Sequence, residues 1–130
     1  MGEPAQAKTE RDAPIADAFD IIAWEIELAG ARCIQLDSLV GAIVDQLPAE
    51  NKASVFEGLH AVDLLSQHLT GLSAFARALS GSVPAGLRAP VDGALAQVTL
   101  GALADRMAGA LGAAQKGLGD GDDAGDLDLF

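Results

Sequence analysis

The chain has 130 residues, 19 of them acidic against 8 Lys plus Arg, for a formal net charge of −11; half are hydrophobic, yet the aromatics are only one Trp and four Phe. Such a charge repels phosphate backbones and anionic lipid heads, which argues against nucleic acid and membrane surfaces as partners. The single Cys33 excludes a disulfide framework and a Cys-rich zinc site, and no leader pattern or apolar run of about 18 residues is present, so the expectation is one cytoplasmic domain.

Residues 1–12 are polar and carry no periodic apolar residue, and read as a disordered tail. The tail ends at Asp12-Ala13-Pro14, which reads as a helix start, with Asp as cap and Pro in the first turn. From there Ile15, Phe19, Ile22, Ile26, Ala29, Cys33, Leu36, Val40, Ile43 and Leu47 alternate in steps of four and three. That 3.5-residue period predicts a helix over 15–47 whose stripe packs on another helix, and Pro48 stops it. A second helix is predicted over 50–80. Its stripe is Gly58, Val62, Leu65, Leu69, Leu72, Ala76 and Leu79, widened at its start by Val55 and Leu59, and Gly81 is placed to end it as a left-handed cap. Pro90 can open a third, shorter helix over about 90–114, with its apolar residues spread more widely around the surface.

From Lys116 the pattern gives way to alternating Gly and Asp, a flexible acidic tail over 116–130 that ends in the apolar peptide Asp126-Leu127-Asp128-Leu129-Phe130. No strand pattern competes. The expected fold is all-α: a long antiparallel helical hairpin plus a third shorter helix, forming a helical bundle over 13–115. At 1.5 Å per residue the long pair would span roughly 45–50 Å. A hairpin so poor in aromatics buries little surface by itself, which points to a homodimer.

Little in the sequence supports catalysis through a metal or a phosphate loop. His60 and His68 are two turns apart, too far to share an ion, and no His/Cys/carboxylate cluster has ligand spacing, so no metal site and no cofactor of its own are expected. Cys33 falls on the apolar stripe and reads as a core thiol. His68 lacks the Lys and the Gly spacing of a phosphorylated histidine.

With Val62, Leu65, Leu69 and Leu72 as the seam, Asp63 and Gln67 point outward, one turn apart. His60 lies one turn before them, Thr70 and Gly71 one turn after, and Phe56 at the start of the face. A Phe beside a carboxylate, an amide and small residues is the composition of a surface that meets another protein.

The segment Ala61-Val-Asp-Leu-Leu-Ser-Gln-His-Leu resembles the catalytic helix of CheZ-type chemotaxis phosphatases, in which Asp-Leu-Thr-Gly-Gln supplies an Asp and a Gln four residues apart. Asp63, Leu64 and Gln67 match; Leu65 and Ser66 stand for Thr and Gly. The order of hairpin, acidic tether and apolar end is also similar, and the short length is closer to the small CheT-type proteins. The resemblance implies a cytoplasmic chemotaxis regulator that binds a phosphorylated response regulator. Gln67 would position the attacking water in the receiver's active site and Asp63 would pair with the receiver's Lys, so that catalysis is mostly positioning. Mg²⁺ would belong to the receiver. The tail residues Asp126, Leu127, Asp128, Leu129 and Phe130 would tether that partner.

Two alternatives stand beside this one. The changes at Leu65 and Ser66 favour a non-catalytic adaptor that binds a receiver or another chemotaxis protein such as the methyltransferase CheR. The terminal Asp-Leu-Asp-Leu-Phe also resembles peptides that dock on replication sliding clamps.

Overall fold

In the computed structural model, residues 11–115 are described. The expectations for residues 1–10 and for the tail 116–130, including Asp126, Leu127, Asp128, Leu129 and Phe130, lie outside them. Among the described residues the order is β1 (Asp12–Pro14), α1 (Ile15–Ile43), a 3-10 turn (Val44–Gln46), α2 (Ala49–Ser82), β2 (Arg88–Pro90), α3 (Asp92–Leu95) and α4 (Gly101–Gln115). The fold is all-α apart from one pair of three-residue strands. It divides into two compact units, one made of Ile22–Leu79 and the other of the residues that flank it.

The first unit is the helical hairpin. Pro48 forces the reversal: Leu47, the residue before it, is extended at φ −86 and ψ 153, and its N–H donates to the Val44 carbonyl at 3.1 Å. The chain re-enters helix at Ala49, where the Asn51 N–H donates to the Pro48 carbonyl at 2.9 Å. The helices then run antiparallel. Gly30 faces Leu69, whose Cβ lies 3.9 Å from where a Cβ on Gly30 would stand, and Arg77 reaches Glu27.

The seam is phased differently from the expected stripe. Ala23, Val44, Ser73 and Ala76 are buried, whereas Leu36, Leu65 and Leu72 are about half exposed. On α1 the inward rows are Ala23, Gly30 and Val44 together with Ile26, Cys33 and Val40; on α2 they are Leu59, Ser66 and Ser73 together with Val55, Val62, Leu69 and Ala76. Only one row of each predicted stripe therefore lies between the helices. The small residues Gly30, Ser66 and Ser73 make this phasing workable, because the backbones can approach where a larger side chain would hold them apart. Ser73 satisfies its buried hydroxyl by donating to the Thr70 carbonyl of its own helix at 3.1 Å.

The second unit corrects three boundaries. Asp12 does not cap α1. It pairs in β1 with β2 in the register Asp12↔Pro90, Ala13↔Ala89 and Pro14↔Arg88. The ribbon is closed by Val91 N–H to the Arg11 carbonyl and Ile15 N–H to the Leu87 carbonyl, both 2.9 Å. Pro14 and Pro90 sit at strand ends, where a missing N–H costs least. Arg11 and Asp12, expected in the tail, are held in place. The Arg11 amide donates to Asp92 Oδ2 at 2.9 Å, its guanidinium reaches Asp92 at 3.2 Å, and its Nη1 donates to the Ala108 carbonyl at 3.1 Å.

The expected third helix is two pieces, α3 and α4, because Pro90 belongs to β2 and residues 96–100 break the helix. Gly81 lies inside α2. The positive φ is at Gly86 (95°), third residue of a turn closed by Leu87 N–H to the Pro84 carbonyl at 3.3 Å. Ala13, Val91 and Leu111 form the core of this unit, with Ala18, Ile21 and Leu95 packed against it.

Candidate protein-docking face

Phe56, His60, Asp63, Gln67 and Thr70 follow one another at helical spacing along α2 and are all exposed, as is Gly71 at the far end. Phe56 is 53% exposed. Asp63 and Gln67 are joined: Gln67 Nε2 donates to Asp63 Oδ2 at 2.9 Å, one turn apart. An exposed side-chain bond of this kind is worth about 0.5 kcal/mol. That is enough to bias the Gln67 rotamer, and little enough for a partner to break. The second amide hydrogen and the carbonyl oxygen of Gln67 remain to bond with a partner or a water.

Thr70 uses its hydroxyl to donate to the Ser66 carbonyl at 3.0 Å, so it contributes to the face mainly through its methyl group and small size. An added Cβ at Gly71 would meet open space, so Gly71 leaves a gap on the surface. Leu65 precedes the inward Ser66 and lies to the other side of α2 from Asp63; its bulk does not crowd the Asp63–Gln67 pair.

The sequence reading missed what α1 brings alongside. Ile26, Glu27, Gly30, Ala31 and Ile34 of α1 and Ser66, Leu69 and Thr70 of α2 line a shallow groove of about 200 Å³. Its α1 wall carries Glu27, which accepts two bonds from Arg77, from Nε at 2.8 Å and from Nη2 at 2.8 Å. The Arg77 guanidinium holds the Glu27 carboxyl below its ordinary value, chiefly by hydrogen bonding and further by its charge, while partial burial works the other way. These two residues are 50 apart in sequence, and nothing in the pattern of either helix marks them as partners. The only hint is that each is a charge one step from an inward row.

The arrangement offers a carboxylate, an amide, an exposed aromatic ring and an adjoining apolar groove. Among the described residues no three His, Cys, Asp or Glu side chains gather to hold a metal ion. No described helix is long and apolar enough to cross a membrane. Cys33 is half-buried on the seam, and His68 is exposed away from the Asp63 side. No curated protein matches the chain, and no solved structure matches it. A family profile matches residues 11–130, which takes in both units, and the chain belongs to that family, described as Domain of unknown function (DUF8776).

Proposed function

We propose that this protein is a cytoplasmic regulator that docks on another signalling protein through the Asp63–Gln67 face of α2, and that its partner is the phosphorylated receiver domain of a response regulator. The observation that carries the reading is the hydrogen-bonded Asp63–Gln67 pair, exposed on a rigid helix beside Phe56 and a shallow groove. A docking helix needs a carboxylate to meet a basic residue and an amide free to enter a polar active site, and the pair supplies both. The resemblance of Asp63-Leu64-x-x-Gln67 to the CheZ-type helix supplies the choice of partner. The receiver would bring its own Mg²⁺, and Gln67 would orient the water that attacks the aspartyl phosphate.

The same face also suits binding without hydrolysis, with Gln67 remaining on Asp63 and the partner held by Phe56 and the groove. That second reading extends to another chemotaxis protein such as CheR. A sliding-clamp partner would instead use Leu127, Leu129 and Phe130.

The test is a titration of phosphorylated receiver domains from the source organism with wild type, Gln67→Ala and Asp63→Ala, following both binding and phosphate loss. Hydrolysis by wild type and loss of it in Gln67→Ala, with binding retained, establishes the phosphatase reading. Equal binding without acceleration in either establishes the adaptor. Absence of binding to every receiver rejects the proposal.

A further inference from the structure

We infer that the groove side of the hairpin receives a single amphipathic helix of a partner, one whose apolar stripe is flanked by Lys or Arg. The inference rests on the reading of the α2 face as a docking surface and deepens it, without requiring that the partner be a receiver.

The rows next to the seam define this side. On α1, Trp24 and Ala31 fall one residue after the inward Ala23 and Gly30, and Glu27 and Ile34 one residue after Ile26 and Cys33. On α2, Phe56, Asp63, Thr70 and Arg77 fall one residue after Val55, Val62, Leu69 and Ala76. An antiparallel pair is related by a two-fold axis perpendicular to both helices, so displacements of the same sense open on the same side. Leu36, Leu65 and Leu72 are displaced in the other sense and open on the opposite side.

The middle of the groove side is concave. Gly30 and Ala31 on one wall and Ser66 and Thr70 on the other leave about 200 Å³ open. That exceeds the ~150 Å³ that takes a benzene ring and falls short of the ~300 Å³ at which small-molecule pockets begin, so it suits one or two apolar side chains of a larger partner. The ends carry aromatic rings, Trp24 and Phe56, 55% and 53% exposed. Trp24 lies seven residues from Ala31 toward the start of α1, and Phe56 fourteen residues from Thr70 toward the start of α2. The helices are antiparallel, so these are opposite ends, about 30 Å apart at 1.5 Å per residue, the length of roughly 20 helical residues. Small residues midway let a third helix approach closely, with a ring to cover each of its ends.

The occupant is a helix because α1 and α2 spend their backbone bonds internally and present no edge to extend, so an incoming segment must be held through side chains. It is basic because Asp63 meets no cation: among the described residues it accepts only the Gln67 amide. Arg77 is already engaged by Glu27, and residues 22–79 carry seven acidic side chains against three basic ones. A second copy would set like charges against one another on this side, whereas Lys or Arg would find a carboxylate and an exposed indole face.

The test uses the full chain and two synthetic peptides of about 20 residues, both without aromatics. One places Leu at helical spacing with Lys on either side; the other has the same composition in scrambled order. Emission from Trp24, the one Trp of the chain, reports binding. The striped peptide is expected to saturate at one per chain with a blue shift. It should bind at least about 10-fold tighter than the scrambled one, and more weakly as NaCl rises from ~20 to ~300 mM. Ala31→Arg, at an exposed position on the groove wall, should weaken binding about 10-fold, whereas Leu36→Lys, which adds the same charge on the opposite side, should leave it within about two-fold. No binding of the striped peptide, equal binding of both peptides, or equal loss in both variants overturns the inference. The peptides carry no phosphoryl group, so these outcomes are separate from whether any receiver responds to Gln67.

Discussion

At the scale of single residues the structure separates side chains that hold the hairpin from those free to act. Asp63 and Gln67 bond only to each other among the described residues, so Gln67→Ala and Asp63→Ala should each change stability by no more than about 0.5 kcal/mol. Thermal melts of the two variants check this, and a loss of several degrees would place the pair in the fold. Glu27 gives the pH dependence. Its carboxyl is held below 4.5 by Arg77, so the pair's contribution is present above 4.5 and is lost as pH falls below that value toward the lowered one in the folded state. Wild type should therefore melt above Glu27→Gln at neutral pH, with the gap closing in acid; a constant gap down to pH 3 would contradict the assignment. The outward direction of Asp63 and Gln67 was legible in the sequence, because any seam through Val62 and Leu69 leaves them outside. The Glu27–Arg77 pair was not, since it depends on how the helices slide past one another.

At the scale of elements, both long helices were legible from their stripes and from Pro48, and their ends fall within a few residues of the expected ones. What the stripes hid was phase. A 3.5-residue repeat identifies the face that seeks partners without saying how many there are. Here Leu69 faces the other helix and Leu36 does not, although both lie on predicted stripes. Leu69→Asp should destabilise the hairpin by roughly 2–3 kcal/mol, whereas Leu36→Asp, at a half-exposed position, buries no charge within the chain and should cost far less in a thermal melt. Gly41 lies in α1 with open space where a Cβ would stand, so Gly41→Ala should stabilise by about 0.5–1 kcal/mol in a denaturant titration. The strand pair escaped the sequence reading because three-residue strands carry too few residues for alternation to register. It is held by Arg11, which reads as part of a polar tail until its bonds to Asp92 and the Ala108 carbonyl are seen.

At the scale of the whole molecule, charge sets the conditions for assembly. Each copy carries −11, so bringing two together raises repulsion that salt screens. Any self-association should therefore strengthen as NaCl rises from ~20 to ~300 mM, read by sedimentation equilibrium; weakening with salt would mean that ion pairs carry it. The proposed partner would meet the polar side of the hairpin. Hydrogen–deuterium exchange of the full chain, with and without a saturating phosphorylated receiver, tests that most directly. The account predicts slowed exchange in α2 between Phe56 and Gly71, and in α1 around Glu27 to Ile34, with none of that protection in Asp63→Ala at the same receiver concentration. Protection confined to the side of Leu36 and Leu72, or no protection with any receiver of the source organism, would contradict it.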